Sequence, residues 1–470
     1  MNSTSARRLA VSSALGFMAL LLAGGAACSS SAIQSSAPQQ RTCGRMLFQR
    51  HCASCHGSTG LGDGPGAAVL APKPRDFSTG TFRLVSTQNG VPTDDDLFQV
   101  ITRGILGSSM PPHDHLSRQE RLALVSYVRG LSRSRRADIA QVQAVQDGAP
   151  ITRQDALLAS YEQPETAVQL PPSTTASSPE LLAQGRKIYV SSCASCHDLD
   201  GSGNLRQDMV DDKGLPVFAR DFTAGILKGG STPLDIHRRI RCGMPGSPMP
   251  AYDLPDGEAQ ALNAYVTSLM RPDAPSRLTQ THQTFTPQRV DAQLSNDPAA
   301  SAWQSVASHW VAMAPLQWTE HRVSGVMVQL ARDANSLAIR LSWEDSTPES
   351  SGNNISADTA AIRLSALEIP QFFCPGRTGE THEAWEWNAA AGEALTTEKV
   401  SPVKTGVQLQ GRHHRGFYEV VFLRDLSEAP ERVGMSAQGA SLTFEVRNGV
   451  AGVPDRSQNI TVWHRLEQTL

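Results

Sequence analysis

The pentapeptide Cys-Ala-Ser-Cys-His occurs twice in this chain, as Cys52–His56 and again as Cys193–His197. Two thiols separated by two residues reach the two vinyl groups of one porphyrin, and the histidine that follows presents its imidazole to the iron. One copy fits a zinc site or chance equally well. Two copies in matching surroundings point to two covalently held haem c groups, Cys52 and Cys55 anchoring the first and Cys193 and Cys196 the second.

The surroundings do match. A glycine and an aromatic precede each motif at helical spacing, Gly44 with Phe48 and Gly185 with Tyr189. Arg-Asp-Phe follows each, at Arg75–Phe77 and Arg220–Phe222. A capped helix is predicted next. Thr93 stands ahead of Asp94, Asp95 and Asp96, and Gly104 closes the helix; in the second copy Thr232 caps, Pro233 takes the first helical position and Gly243 ends it. Met-Pro then occurs at Met110-Pro111 and Met249-Pro250. The last helix opens in the first copy on the capping box Ser117-x-x-Glu120 and carries Leu122, Val125 and Val128 on one face. Its counterpart carries Leu262, Tyr265, Val266 and Leu269. The pattern predicts two related all-α domains, at 43–133 and 179–271.

Both segments resemble class I cytochrome c domains over nearly their whole length. In that family an N-terminal helix crosses a C-terminal helix, and a methionine from the loop between them supplies the sixth iron ligand. The resemblance implies iron ligation by His56 with Met110 and by His197 with Met249. It also implies close helix crossings at Gly44 and Gly185, with Phe48–Tyr127 and Tyr189–Tyr265 packed as aromatic pairs. Met110 lies in the polar loop Gly107-Ser-Ser-Met-Pro-Pro112, not on an amphipathic stripe. In the second domain Met244 competes with Met249, which is preferred because it follows His197 at nearly the separation at which Met110 follows His56. His113 and His115 are alternatives to Met110, with solvated loop histidines as the plainer reading. Arg75 and Arg220 either pair with haem propionates or are surface charge. Iron ligated by protein on both axial sides has no open position for substrate, and a thioether ligand raises the potential relative to two histidines.

Arg7 and Arg8, the apolar run from Leu9 to Leu22 and the small residues Gly24–Ala27 read as a signal peptide over 1–27. Cys28 follows where a bacterial lipoprotein carries its lipidated cysteine, with 28–42 as a polar tether; cleavage after Ala27 without lipidation is the alternative. The expectation is a lipid-anchored protein on the periplasmic side of a bacterial membrane. No later apolar run reaches about 20 residues, which excludes a polytopic membrane protein. The chain has 42 Lys plus Arg against 45 Asp plus Glu and so lacks the basic surplus of a nucleic-acid protein. Residues 134–178, polar, rich in Ala and Gln and ending in a Pro/Ser/Thr stretch, read as a linker, as do 272–285. Cys43, Cys242 and Cys374 are left over; a disulfide among them is permitted, but the spacing names no pair.

From about residue 286 the character changes. All seven tryptophans fall there, at Trp303, Trp310, Trp318, Trp343, Trp385, Trp387 and Trp463, with core packing as the expected role of most. Strands are predicted at Gly325–Leu330, Leu337–Trp343, Ala360–Leu364, Phe417–Leu423, Ser441–Val446 and Ile460–Trp463, giving an antiparallel β-sandwich over 286–470. Through Leu341-Ser-Trp343-Glu-Asp345, Asp358–Ala361, Trp385-Glu-Trp387, Gly416–Leu426 and Ile460–Leu466, this segment resembles the haem-binding gamma subunit of ethylbenzene dehydrogenase and related molybdenum enzymes of the dimethyl sulfoxide reductase family. There the sandwich holds a b-type haem between a Met and a Lys. Here those places read Phe372–Gly376 and Arg456–Asn459, so no haem b is expected, with Cys374 or a histidine such as His382 as conceivable substitutes.

The fold class expected is multidomain α plus β: two small cytochrome c domains and a C-terminal antiparallel β-sandwich. The function expected is that of a periplasmic dihaem c-type cytochrome, an electron-transfer protein and not an enzyme. It would pass single electrons between a partner oxidoreductase, a molybdenum enzyme docked through the C-terminal domain, and another redox carrier. Two readings of other classes stand beside it: a dihaem peroxidase-like enzyme with one five-coordinate iron, and a ligand-binding β-sandwich served by accessory haems.

Overall fold

The computed structural model describes residues 37–171, 178–203, 208–319, 322–346, 357–365, 382–390, 406–426, 439–449 and 458–467. The expected signal peptide, Cys28, the 372–376 segment with Cys374, Arg456 and the side chain of His382 lie outside what is described.

The first domain contains α1 (Ala37–His51), α2 (Ala53–His56), α3 (Asp94–Arg103), α4 (Arg118–Gln146) and α5 (Arg153–Ala159). The caps form as their residues dictate. Thr93 Oγ1 accepts from the Asp96 N–H at 3.0 Å while Asp96 Oδ2 accepts from the Thr93 N–H at 2.8 Å, and Ser117 with Glu120 repeats the exchange at the head of α4. Two boundaries differ from expectation. Helix α1 begins inside the polar tether, and α4 runs thirteen residues past 133, followed by α5 within the supposed linker. The reason is that Ala and Gln are good helix formers, and α5 folds back on α4. Ala137 and Ala156 are fully buried between them, and Arg133 Nε donates to the Leu157 carbonyl at 3.1 Å.

The second domain repeats the plan with α6 (Pro179–Ser192), α7 (Ala194–His197), α8 (Pro233–Cys242), α9 (Asp256–Leu269) and α10 (Ala274–Leu278). Thr232 and Asp235 form its capping box. The helix crossings are as tight as the glycines suggest. A Cβ on Gly44 would lie 2.2 Å from the Ala123 carbonyl oxygen on α4, and one on Gly185 2.0 Å from that of Ala261 on α9. Phe48 meets Tyr127, and Tyr189 meets Tyr265, each with ring centroids 5.2 Å apart.

The third region contains β1 (Thr284–Phe285), β2 (Gln288–Arg289), β3 (Ser308–Ala312), β4 (Ala314–Pro315), β5 (Gly325–Arg332), β6 (Ser336–Glu344), β7 (Thr359–Ser365), β8 (His382–Asn388), β9 (Val407–His414), β10 (Phe417–Asp425), β11 (Ala440–Arg447), β12 (Gln458–Ile460) and β13 (His464–Leu466). One sheet runs β1-β13-β11-β12-β4 with β7 on β11 and β8 on β7; the other runs β2-β5-β6-β10-β9 with β3 on β5. The long ladders are antiparallel, but β1–β13 and β2–β5 are parallel, so both sheets are mixed, not purely antiparallel. The cause is local: β1 and β2 come from one short incoming stretch that pairs first with one sheet and then with the other. Between the sheets lie Trp343, Trp385, Phe422, Phe444 and their aliphatic neighbours, with Trp343 stacked on Tyr418 across β6 and β10 at 5.2 Å. Trp303, Trp387 and Trp463 are buried as well.

The three regions dock on one another. Arg83 pairs with Asp211, and Lys213 with Asp76 at 2.8 Å, joining the two helical domains. Ala71 donates to the Leu316 carbonyl at 3.0 Å and accepts from the Trp318 N–H at 2.9 Å, fixing the first domain to the sandwich. Among the described residues no helix is long and apolar enough to cross a membrane.

Candidate functional site

Helix α1 ends at His51 and the short α2 starts at once, which brings Cys52, Cys55 and His56 to the wall of a cleft that Met110 borders as well. Leu97, Ile101 and Val128 line it, and it spans about 1320 Å³ with the open space at its mouth included. A second cleft, of about 1150 Å³, is bordered by Cys193, Cys196, His197, Met209 and Met249. Each histidine is held by the Arg-Asp-Phe triplet that the sequence repeats. His56 Nδ1 lies 2.9 Å from the Arg75 carbonyl and its ring stacks on Phe77 at 4.6 Å; His197 Nδ1 lies 3.4 Å from the Arg220 carbonyl and stacks on Phe222 at 4.3 Å. A carbonyl at Nδ1 selects the tautomer protonated there and leaves the Nε2 lone pair for a metal. Burial holds both imidazoles below their ordinary pKa. The sequence repeat made the triplet visible but not its task, which belongs to a main-chain oxygen and to a ring.

The loop geometry discriminates between the methionines. Ile105 N–H donates to the Met110 carbonyl at 3.0 Å, and Met244 N–H donates to the Met249 carbonyl at 3.0 Å. Met249 is thus the structural counterpart of Met110, and Met244 that of Ile105. Met244 borders both clefts.

The cations are arranged around the same space. Arg75, Arg83 and Lys228 border the first cleft; Arg220, Arg239 and Lys228 border the second. Arg220 is only 8% exposed, and its Nε and Nη1 have no hydrogen-bond partner. Burial, then Arg322 and Arg83, push its pKa down to about 9. Burial and the guanidinium groups of Arg220, Arg83 and Arg75 hold Lys228 well below the usual lysine range. Surface charge therefore does not describe Arg220. An orphaned buried guanidinium beside a cleft with paired thiols fits a group that brings its own carboxylates, as haem c does with its propionates.

One further expectation is corrected. His113 is 5% exposed and borders the first cleft with His51, and both ring nitrogens of His115 are shielded from water, so neither is a solvated loop histidine. Burial pushes His113 down to about 4 and His51 and His115 to about 3. Cys43 is disulfide-bonded, whereas Cys242 is a free thiol packed into the first domain's core.

Residues 42–132 match the cytochrome c family, and residues 180–266 match the cbb3-type cytochrome c oxidase subunit III family. The two helical units are cytochrome c domains, and the chain is an electron-transfer cytochrome carrying covalent haem c. It is similar to a putative respiratory nitrate reductase haem subunit of Haloferax mediterranei, 26% identical over 199 residues that span 37% of this chain and 70% of that one. Among solved structures it is similar to a chain of the reducing HAO-like protein complex of Kuenenia stuttgartiensis, with 30% identity and a TM-score of 0.41, covering 49% of this chain and 96% of that one. It is also similar to a carbohydrate binding module of family 9 from Caldicellulosiruptor kristjanssonii in complex with cellotriose, with 12% identity and a TM-score of 0.28, covering 40% of this chain and 95% of that one.

Proposed function

We propose that the chain holds two haem c groups, one per cleft, and relays single electrons between a partner oxidoreductase and a second redox carrier. The observation that carries this is the sharing of Lys228 and Met244 by the two clefts, which places them side by side. Bound haem c supplies one-electron iron chemistry. Cys52 and Cys55 would anchor the first group, with His56 and Met110 as its axial residues; Cys193 and Cys196 would anchor the second, with His197 and Met249. Arg75, Arg220 and Lys228 would neutralise propionates. The carbonyls of Arg75 and Arg220 fix the two imidazoles, so little reorganisation accompanies a change of charge at the site.

The name of the Haloferax relative supports a respiratory oxidoreductase as partner, and the resemblance of the third region supports a molybdenum enzyme docked on the sandwich. The opening residues support export and a lipid anchor at Cys28, which puts the exchange on the periplasmic side of a membrane. A pyridine haemochrome spectrum with protein quantification tests the cofactor reading: two haem c and no haem b per chain are expected. Met110→Ala and Met249→Ala should each remove about half of the weak far-red band of the oxidised protein. A haem b, or high-spin iron in the reduced wild type, would overturn the reading.

A further inference from the structure

A second cluster of metal-binding side chains lies outside both clefts, where the first cytochrome domain meets the segment leading into the sandwich. Asp114 and His115 come from the loop between Met110 and α4; His282 comes from the connection between α10 and β1. One ligand atom from each lies within 4.8 Å of the other two. His282 Nδ1 is 2.6 Å from Asp114 Oδ1, and the rings of His282 and His115 are 4.4 Å apart between centroids. The rings of His51 and His113 stand 5.6 and 5.9 Å from that of His115.

Hydrogen bonding leaves the cluster incomplete. Neither nitrogen of His115 has a partner, although both are shielded from water. An unmet buried polar atom costs about 1–3 kcal/mol, and neighbouring imidazoles cannot relieve it by taking protons, because each added charge would repel the next. One cation would give His115 a partner and would replace the His282–Asp114 hydrogen bond with bonds to both of its members, since it accepts lone pairs from both rings and from the carboxylate. Two imidazoles and one carboxylate suit a borderline divalent transition ion such as Zn²⁺ or Cu²⁺, whereas Mg²⁺ and Ca²⁺ favour all-oxygen shells. We infer that Asp114, His115 and His282 bind one divalent ion of the Zn²⁺/Cu²⁺ class, and that the ion clamps the first cytochrome domain to the sandwich's incoming segment. The site uses none of the residues assigned to the haems and stands independently of them.

The test uses the full-length, haem-loaded protein, stripped with a chelator and then given Zn²⁺ alone. Elemental analysis after buffer exchange should find one zinc per chain beside the iron, and Cu²⁺ in its place should show nitrogen hyperfine splitting in its electron paramagnetic resonance spectrum. His115→Ala and His282→Ala should each weaken zinc binding by about a hundredfold or more. Asp114→Asn changes a partly exposed side chain and serves if a histidine variant fails to fold; it should weaken binding while haem content and metal-free melting stay as in wild type. No retained zinc, or equal affinity in wild type and all three variants, would overturn the site.

Discussion

His56 and His464 are both buried, His56 at the wall of the first cleft and His464 among aromatic rings of the sandwich. His464 is 2% exposed, its Nδ1 accepts from the Gln283 N–H at 3.2 Å, and the rings of Phe285 and Phe444 flank it at 5.3 and 5.8 Å. Its Nε2 has no hydrogen-bond partner. Burial, with His282 nearby, pushes its pKa down to about 3 from an ordinary 6.5. The sign follows from linkage: between those values the unfolded chain takes a proton that the folded chain refuses. Stability is therefore intact above pH 6.5 and declines as the pH falls toward 3, by about 1.4 kcal/mol per pH unit for this one group. All tryptophans lie at or beyond Trp303, so their fluorescence follows the sandwich. Denaturant unfolding read that way should lose about 2 kcal/mol between pH 7 and pH 5 from His464, and His464→Gln should flatten the profile by one proton. An unchanged profile in the variant would mean that the ring is protonated in the native sandwich.

The helix crossings carry the cytochrome domains, and two glycines of the first domain separate packing from helix propensity. A Cβ on Gly44 meets the Ala123 carbonyl at 2.2 Å, backbone that can yield only by parting α1 from α4. Gly130, within α4, has nothing within 4 Å of the point that a methyl group would occupy. Gly44→Ala should destabilise the domain by about 2–4 kcal/mol, as overpacking of a tight interface does, whereas Gly130→Ala should stabilise it by about 0.5–1 kcal/mol through helix propensity alone. Thermal melting followed at the haem absorbance distinguishes the two. The crossings join residues as distant as Gly44 and Ala123 and were reached only through the resemblance to class I cytochrome c domains. The caps at Thr93, Ser117 and Thr232 were legible in the sequence because each depends on residues a few positions apart. The strand β8 was not, although its Trp385-Glu-Trp387 alternation stands out. It carries Glu383 and Glu386 at the sandwich, and their charges are met by Arg424 and Arg363 on other strands, with Arg424 Nη1 3.0 Å from both Glu383 oxygens. No local pattern announces a partner that far away. The polar, Ala-rich 134–159 segment reads as a linker for a related reason: its apolar content is low because it buries only small residues such as Ala137 and Ala156.

At the scale of the whole chain the regions that the sequence suggests as linked beads are packed against one another, and the packing governs the charge around the clefts. Trp318 is held between Arg220 at 4.0 Å and Arg322 at 4.4 Å, and its ring would lie 2.8 Å from a Cβ on Gly107, so the sandwich touches the loops of both cytochrome domains. Lys228 sits where the two clefts adjoin, with Arg75 and Arg83 on the first side and Arg220 and Arg239 on the second. Beside the carboxylates that haem would bring, Lys228 would be held as a cation despite the burial and guanidinium groups that lower its pKa, and a cation near an iron centre in a partly buried site favours its reduced form. Removing a charge that borders both clefts should therefore lower both midpoint potentials, whereas removing one that borders a single cleft should lower one. Lys228→Met is expected to shift the two waves of an optical redox titration downward together, each by on the order of 30–60 mV, about 0.7–1.4 kcal/mol for one electron. Arg220→Met should move one wave by a similar amount and leave the other in place. If Lys228→Met moved only one wave, the lysine would serve a single cleft and the two centres would be set independently; a joint shift makes it the group through which this packing tunes them as a pair.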